Sequence, residues 1–322
     1  MNYTHNTGYS ATESGFAVGV KGKEVPVIDR YGNLVNTFNN DGFVYHVDVN
    51  AGLDANNGLS WETSVKTYAK AVALSNATIS ASTKGAGRGW AARNTILFKG
   101  DNDEAHLETI VAFPNKCDVI GVGNFDQHPF PIMIGNHAPV ATSMGCRFIN
   151  MGFESLAAGG AIMTLTTASN GVKFLGCTFS GHTATPATYG LVTAANADLE
   201  VRGCTFWGPF SVAAIRLGAG VGNSTVIADN WIQSGAIGIS VGALTCDADQ
   251  NPLITNNKIR CTTLVIDDDS DLCCLIGNYG ITAAADTLSL ILDYNARLSI
   301  DNIISDATVT AIYPVRGTAA TG

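Results

Sequence analysis

The sequence predicts an all-β fold, a parallel β-helix built as a solenoid, and three observations carry that prediction. A seven-residue phrase recurs five times: Arg147–Phe153, Lys173–Phe179, Glu200–Phe206, Val226–Ile232 and Leu253–Ile259. With the fifth residue of each copy as anchor, the positions are 151, 177, 204, 230 and 257, in steps of 26, 27, 26 and 27. Self-similarity at a fixed period means that each unit buries its apolar face mainly against its neighbours. Second, the second, fifth and seventh places of the phrase are mostly apolar and the fourth is Asn, Gly or Asp. That pattern describes two short strands with a bend at the fourth place rather than a helix. Third, other apolar runs lie between copies, such as 161–165, 191–193, 213–217 and 237–241. Three strands of ~5 residues with three turns of ~3–4 fill about 25 residues, one coil of a parallel β-helix. Leucine-rich repeats would carry L-x-x-L-x-L, and propeller blades would be longer.

The fifth place runs Met151, Cys177, Cys204, Asn230, Asn257. In a parallel stack, equivalent residues lie ~4.8 Å apart. The pattern predicts a Cys/Asn ladder inside the coils, with Asn side chains hydrogen-bonding along it. A disulfide between Cys177 and Cys204 is geometrically open but not implied. Downstream anchors fall at Asn278 and Asn302, after steps of 21 and 24. Upstream, 94–99 and 118–122 have strand character, so the coils are expected over residues 94–313, with a tail at 314–322.

The first ninety residues stand outside the repeat. Residues 15–30 predict one or two short strands closed by a turn at Tyr31-Gly32-Asn33, and 36–42 suits a linker. Residues 1–42 thus form an extended N-terminal arm, either docked onto another surface or poorly ordered. Residues 43–93 begin with a strand at Val44–Asp48 and an Asp/Asn/Gly-rich turn. Apolar residues at Val65, Tyr68, Ala69, Val72 and Ala73 then predict an amphipathic helix, with Ser60 or Thr63 as cap.

This strand, the turn, the phrase Gly58-Leu59-Ser60-Trp61 and the helix resemble the opening module of right-handed parallel β-helix proteins of the pectate-lyase-like superfamily. The resemblance covers residues 45–74 by motif and the coils by pattern. It implies that the helix caps the open end of the solenoid, where an uncovered coil would expose its apolar interior. That superfamily includes lyases, hydrolases and non-enzymatic virion proteins, so the resemblance speaks for the fold more than for an activity.

Charged residues make up 14% of the chain and glycine 35 of 322 positions, against usual shares of ~25% and ~7%. Few charges and many small residues suit stacked coils with tight turns. The net charge of −9 argues against nucleic acid as a partner. No apolar run approaches the ~18–20 residues of a membrane helix. The opening Met1-Asn2-Tyr3-Thr4-His5-Asn6 lacks the basic and apolar regions of a secretory signal. Without such a signal, the eight cysteines are expected as thiols.

A polysaccharide hydrolase needs two carboxylates on one exposed face, ~5–9.5 Å apart. Glu154, Glu200, Asp229, Asp247 and Asp249 are the candidates, and a catalytic reading would rest on Glu200, Asp229 and Asp249. By phrase alignment, Glu200 faces Lys173 and Val226, and Asp229 faces Gly203 and Asn256, so no acid pair recurs one period apart. A lyase needs a base and often calcium; of the basic residues, Arg202 is expected outward and solvated. Asp267, Asp269 and Asp271 have calcium-like alternation. However, Leu272 and Asn278 stand where an EF-hand needs Gly and Glu, so a solvated loop between coils is expected. Asp48, Asp54 and Asn56 suit turn chemistry. Trp207 and Trp231 suit sugar stacking or packing, and they need not line one groove. No cofactor is expected.

Two functions compete. One is a non-enzymatic bacteriophage virion protein, assembled in the host cytoplasm. It would be a capsid decoration or surface-exposed protein anchored to capsid or tail proteins through residues 1–42, and a homotrimer by analogy with the superfamily. The alternative is a tailspike-like polysaccharide depolymerase or lyase, or, more weakly, an adhesin that binds surface polysaccharide.

Overall fold

The computed structural model describes residues 9–12, 15–20, 23–26 and, with short interruptions, 42–282, 298–306 and 313–315. The chain divides into two compact units, Met1–Lys99 with Pro114–Ile120, and Gly100–Phe113 with Gly121–Gly322.

The first unit contains a small antiparallel sheet of three strands, Tyr9–Thr12, Gly15–Val20 and Lys23–Pro26. Tyr9 pairs with Val18, and Val18 with Val25. This is one strand more than the sequence suggested. Only two residues separate each pair of strands, the length that favours a hairpin. The expected turn at Tyr31-Gly32-Asn33 lies outside the described residues.

The same unit pairs Val44–Asp48 in parallel with Asn94–Lys99, Tyr45 against Ile96 and Val47 against Phe98. Between them runs the helix α1, Tyr68–Ala81. It starts later than the apolar stripe implied, because Val65 bridges to Val47 as extended backbone. The cap is Thr67, whose side chain accepts from the Lys70 N–H at 3.2 Å; Ser60 and Thr63 close the preceding turn instead. The buried face is Tyr68, Ala71, Val72, Ser75 and Ile79, with Ala69 and Ala73 exposed. A polar residue sits on that face because Asn94 needs it. The Asn94 side chain donates to the Ser75 carbonyl at 2.9 Å, to Ser75 Oγ at 3.0 Å and to Thr78 Oγ1 at 2.8 Å, and accepts from the Phe43 N–H. A buried amide satisfied on both ends avoids a desolvation cost of about 1–3 kcal/mol per group. The acidic turn residues do turn chemistry: Asp48 accepts from the Asn50 and Ala51 N–H groups, Asp54 from Lys66 and Thr67, and Asn56 donates to the Ser64 carbonyl.

The second unit is a parallel β-solenoid. Its first sheet takes the opening half of each phrase: Arg147–Ile149, Lys173–Leu175, Glu200–Arg202, Val226–Ala228, Leu253–Thr255, Cys274–Ile276 and Leu298–Ile300. The second sheet takes the closing half: Gly152–Glu154, Thr178–Ser180, Thr205–Trp207, Trp231–Gln233, Lys258–Cys261, Tyr279–Thr282 and Asn302–Asp306. Ala161–Leu165, Tyr189–Thr193, Ala213–Leu217, Ile237–Val241 and Leu264–Asp268 form the third. Short parallel pairs, Ser143–Met144 with Ser169–Asn170 and Gly220–Val221 with Leu244–Thr245, add a fourth strand to some coils, and equivalent phrase residues lie in register: Arg147 on Lys173, Lys173 on Glu200, Glu200 on Val226. A last strand, Tyr313–Val315, turns back antiparallel onto Asn302–Asp306.

The bend between the first two sheets is set by the fourth place. Asn150, Gly176, Gly203, Asp229, Asn256, Gly277 and Asp301 all have φ between 53° and 63°. Left-handed backbone costs most residues roughly 1–2 kcal/mol, and Gly, Asn and Asp tolerate it best. That is why the phrase admits only those three. Inside, rings stack from coil to coil: Phe148 on Phe174 at 5.4 Å, Phe153 near Phe179 at 5.2 Å, and Phe179 on Phe206 at 4.6 Å. The fifth-place residues Met151, Cys177, Cys204, Asn230 and Asn257 are buried, as are Asn278 and Asn302. None of the eight cysteines is in a disulfide.

Candidate functional site

Alternation along each three-residue strand turns its middle residue inward and the flanking two outward. The outward residues of the first sheet include Lys173, Glu200 and Arg202, and Asp229 follows one residue after its neighbour strand. These four join in one chain of ion pairs. Lys173 Nζ lies 2.6 Å from Glu200 Oε2, Arg202 Nε 2.9 Å from Glu200 Oε1, and Arg202 Nη1 2.9 Å from Asp229 Oδ2. Burial would raise the Glu200 carboxyl, but hydrogen bonds from Lys173 and Arg202 outweigh it and hold the group below its ordinary range. The hydrogen bond to Glu200, with Asp229 adding to it, pushes Arg202 up.

Two of the three sequence-predicted acids, Glu200 and Asp229, are thus brought together, but through a guanidinium that binds both. Arg202, expected to be solvated, is the bridge. Half of the signal was present in the sequence: Lys173 and Glu200 share a phrase place one coil apart, whereas Arg202 and Asp229 stand at the third and fourth places and are not paired by phrase alignment. Asp247 and Asp249 lie outside the described residues, and Glu154 sits on the second sheet beside Ser180.

The acidic run 267–271 is not a simple loop between coils. Asp267 and Asp268 end a third-sheet strand, with Asp267 beside Ser240 and Asp268 beside Val241. Alternation turns Asp268 inward, where it is fully buried. Its Oδ1 accepts from Ser270 N–H at 3.0 Å and Ser270 Oγ at 2.6 Å, while Oδ2 has no hydrogen-bond partner among the described residues. Burial first, and Asp268 second, push the Cys273 thiol well above its usual range. Asp269 is exposed, and Asp271 lies outside the described residues. Among the described residues no group of three or more His, Cys, Asp or Glu is placed to hold a metal ion.

On the second sheet, Trp207 and Trp231 do meet. Register sets Trp231 beside Thr205 and Trp207 beside Gln233, so the indoles are diagonal neighbours on adjacent strands. Their centroids are 5.6 Å apart with planes at 62°, and each is 48% exposed. Phrase alignment alone separated them, because one stands inside the phrase and one just past it. The diagonal of a parallel pair was the missing step. Lys258 follows Trp231 in register, Arg260 follows Gln233, and Tyr279 follows Lys258.

One group in the interior had no sequence signal. His137 is buried; its Nδ1 accepts from the Ile110 N–H at 3.0 Å, so Nε2 carries the proton and donates to the Met133 carbonyl at 3.3 Å. Burial lowers its pKa from 6.5 to about 4.

These features define a parallel β-solenoid with a charged outer ladder on one sheet and an aromatic–cationic face on the next. No protein-family model matches the chain, and no curated protein matches it. Among solved structures it is similar to a rhamnogalacturonan lyase, with a TM-score of 0.42 and 10% identity over 76% of this chain and 75% of that one.

Proposed function

We propose that this protein is a non-enzymatic structural component of a bacteriophage particle. It would be a capsid decoration or surface-exposed protein, attached to capsid or tail proteins through residues 1–42 and assembled as a homotrimer. The observation that carries the non-enzymatic part is the ion-pair chain. A general acid needs a proton near neutral pH and a raised pKa, whereas Glu200 is held ionised by Lys173 and Arg202. Asp229, the other acid of the pair, is tied to the same guanidinium. Support for an attachment segment comes from the three-stranded sheet over residues 9–26, whose strands lie outside the period of the coils.

Deletion of residues 1–42 is expected to leave a folded solenoid that no longer enters particles. Unchanged incorporation would sink the attachment role. The competing reading, a polysaccharide depolymerase or lyase, is tested on capsular and pectic polysaccharides. Cleavage that disappears on Glu200→Ala or Asp229→Ala would replace the structural reading with the enzymatic one.

A further inference from the structure

The outer face of the second sheet carries groups that its fold does not use. Two columns of side chains run up it. One holds Thr178, Thr205, Trp231, Lys258 and Tyr279; the other holds Ser180, Trp207, Gln233 and Arg260. Trp207 and Trp231 are each 48% exposed, Tyr279 is 40% exposed, and Lys258 and Arg260 are exposed. Among the described residues neither cation is drawn into an ion pair, in contrast to Lys173 and Arg202 one sheet away. Large aromatic side chains left in water are costly to keep unless something covers them.

We propose that this face binds an acidic polysaccharide, with the indoles of Trp207 and Trp231 as stacking platforms and Lys258 and Arg260 as carboxylate or sulfate ligands. Three features select that partner. The polarised C–H faces of sugar rings pack on the electron-rich faces of indoles, and the Trp pair offers two such faces at an angle. The cations sit between the Trp pair and Tyr279, so aromatic and ionic contacts alternate along one line. Strands ~4.8 Å apart place the Trp207 and Tyr279 strands ~14 Å apart, the reach of a short oligosaccharide. Finally, the chain as a whole carries a net charge of −9, so Lys258 and Arg260, two residues apart on one strand, make a local attraction for an anion on an otherwise acidic chain.

A second copy of the chain is the competing occupant. Protein–protein interface cores are depleted in lysine, yet Lys258 stands at the centre of this face, and Thr205 and Gln233 interrupt the aromatic surface. The inference does not depend on residues 1–42 or on particle attachment.

The test uses the full chain and oligosaccharides built from hexuronic acid, sialic acid and sulfated hexose, with neutral oligosaccharides of matching length. Binding is followed by tryptophan fluorescence and calorimetry at low and high salt. At least one acidic oligosaccharide is expected to bind, at least tenfold more tightly than its neutral counterpart and more weakly as salt rises. Trp207→Ala and Trp231→Ala should each weaken it tenfold or more. Lys258→Gln with Arg260→Gln should remove the preference for acid while leaving the far-ultraviolet circular dichroism unchanged. No binding by any acidic oligosaccharide, or equal binding of neutral ones, overturns the proposal. So does a change in sedimentation of the Trp variants without any sugar binding, which would make the face an interface between copies. Unchanged particle incorporation on deleting residues 1–42 would sink the attachment role and leave this proposal intact, so the two readings fail separately.

Discussion

Asn230 and Asn257 stand one coil apart with their side chains joined, Asn230 Nδ2 donating to Asn257 Oδ1 at 2.8 Å. The same oxygen takes the backbone N–H of Asn230 at 3.1 Å, and Asn257 Nδ2 donates to the Ile227 carbonyl at 3.0 Å. The motif continues through Asn278 to Asn302. Replacing Asn257 by Ala strands the backbone N–H of Asn230 and one N–H of its side-chain amide, both buried, and removes the donor to the Ile227 carbonyl, while Asn278 Oδ1 keeps the backbone N–H of residue 257. At about 1–3 kcal/mol per stranded group, the variant should lose about 3 kcal/mol or more. Denaturant unfolding measures it, and a loss under about 0.5 kcal/mol, the range of an ordinary surface substitution, would remove the ladder from the account of stability.

The two cysteines below the Asn ladder do part of the same work. Cys204 Sγ lies 3.3 Å from the Phe174 carbonyl and Cys177 Sγ 3.4 Å from that of Phe148. Each Asn side chain reaches the equivalent carbonyl one coil back, as Asn230 does at Val201. Cys204→Asn should therefore extend the ladder downward, its amide donating to Phe174 and its oxygen accepting the Cys177 N–H. The expected change in stability is zero or a gain of up to about 1 kcal/mol. A loss of more than about 2 kcal/mol would mean that the larger side chain overpacks the interior at that coil.

Asp229 holds a fourth-place bend at φ 58° as well as an ion pair with Arg202. Backbone and charge separate by substitution. Asp229→Gly keeps the bend and loses the carboxylate, so it should cost well under 1 kcal/mol, because an exposed pair is worth about that or less. Asp229→Ala loses both and should cost about 1–2 kcal/mol. Equal effects of the two variants in thermal unfolding would contradict a conformational role for this position.

The fold was legible because its strongest constraints are periodic. The left-handed bend at the fourth place holds only Gly, Asn and Asp, and the buried ladder from Cys177 on holds Cys and Asn, whose side chains reach backbone carbonyls one coil back. Both rules printed themselves on the phrase from Arg147 to Asn302. The outer faces were less legible, because their contacts run diagonally. Trp207 meets Trp231 although their phrase places differ, and Arg202 reaches Asp229 across one strand and one residue. Phrase alignment compares like with like and misses such pairs. His137 was illegible for another reason: its partners, Ile110 N–H and Met133 C=O, are backbone groups that leave no residue signature.

The Lys173–Glu200–Arg202–Asp229 chain should act as one partly exposed network. A double-mutant cycle of Glu200→Gln with Arg202→Gln should give a coupling of about 0.5–1 kcal/mol that shrinks as salt rises. The folded Glu200 carboxyl is held below its ordinary value of 4.5. Its contribution is therefore complete above that value and is lost as pH falls through the lower folded one. A coupling indistinguishable from zero at low salt would leave the network without energetic weight.

His137 sets a separate acid window. The buried imidazole is neutral and titrates at about 4, against 6.5 for an ordinary histidine. Nearby Glu108 favours the charged form but does not offset burial. Between those values the unfolded chain binds a proton that the folded chain does not. Stability is thus full above about pH 6.5 and falls as pH drops toward 4. A shift of this size corresponds to about 3 kcal/mol. His137→Asn should cost stability at pH 7, because the Ile110 N–H and the Met133 carbonyl lose well-placed partners, but it should flatten the decline between pH 6.5 and 4. Urea midpoints of the two proteins across that range decide the matter. Glu200→Gln serves as control, since its effect falls below pH 4.5 and should leave the upper window unchanged. A wild-type stability that stays level from pH 7 to pH 4.5 would mean that His137 gains a proton in the folded state without cost, which its buried contacts with Ile110 and Met133 do not allow.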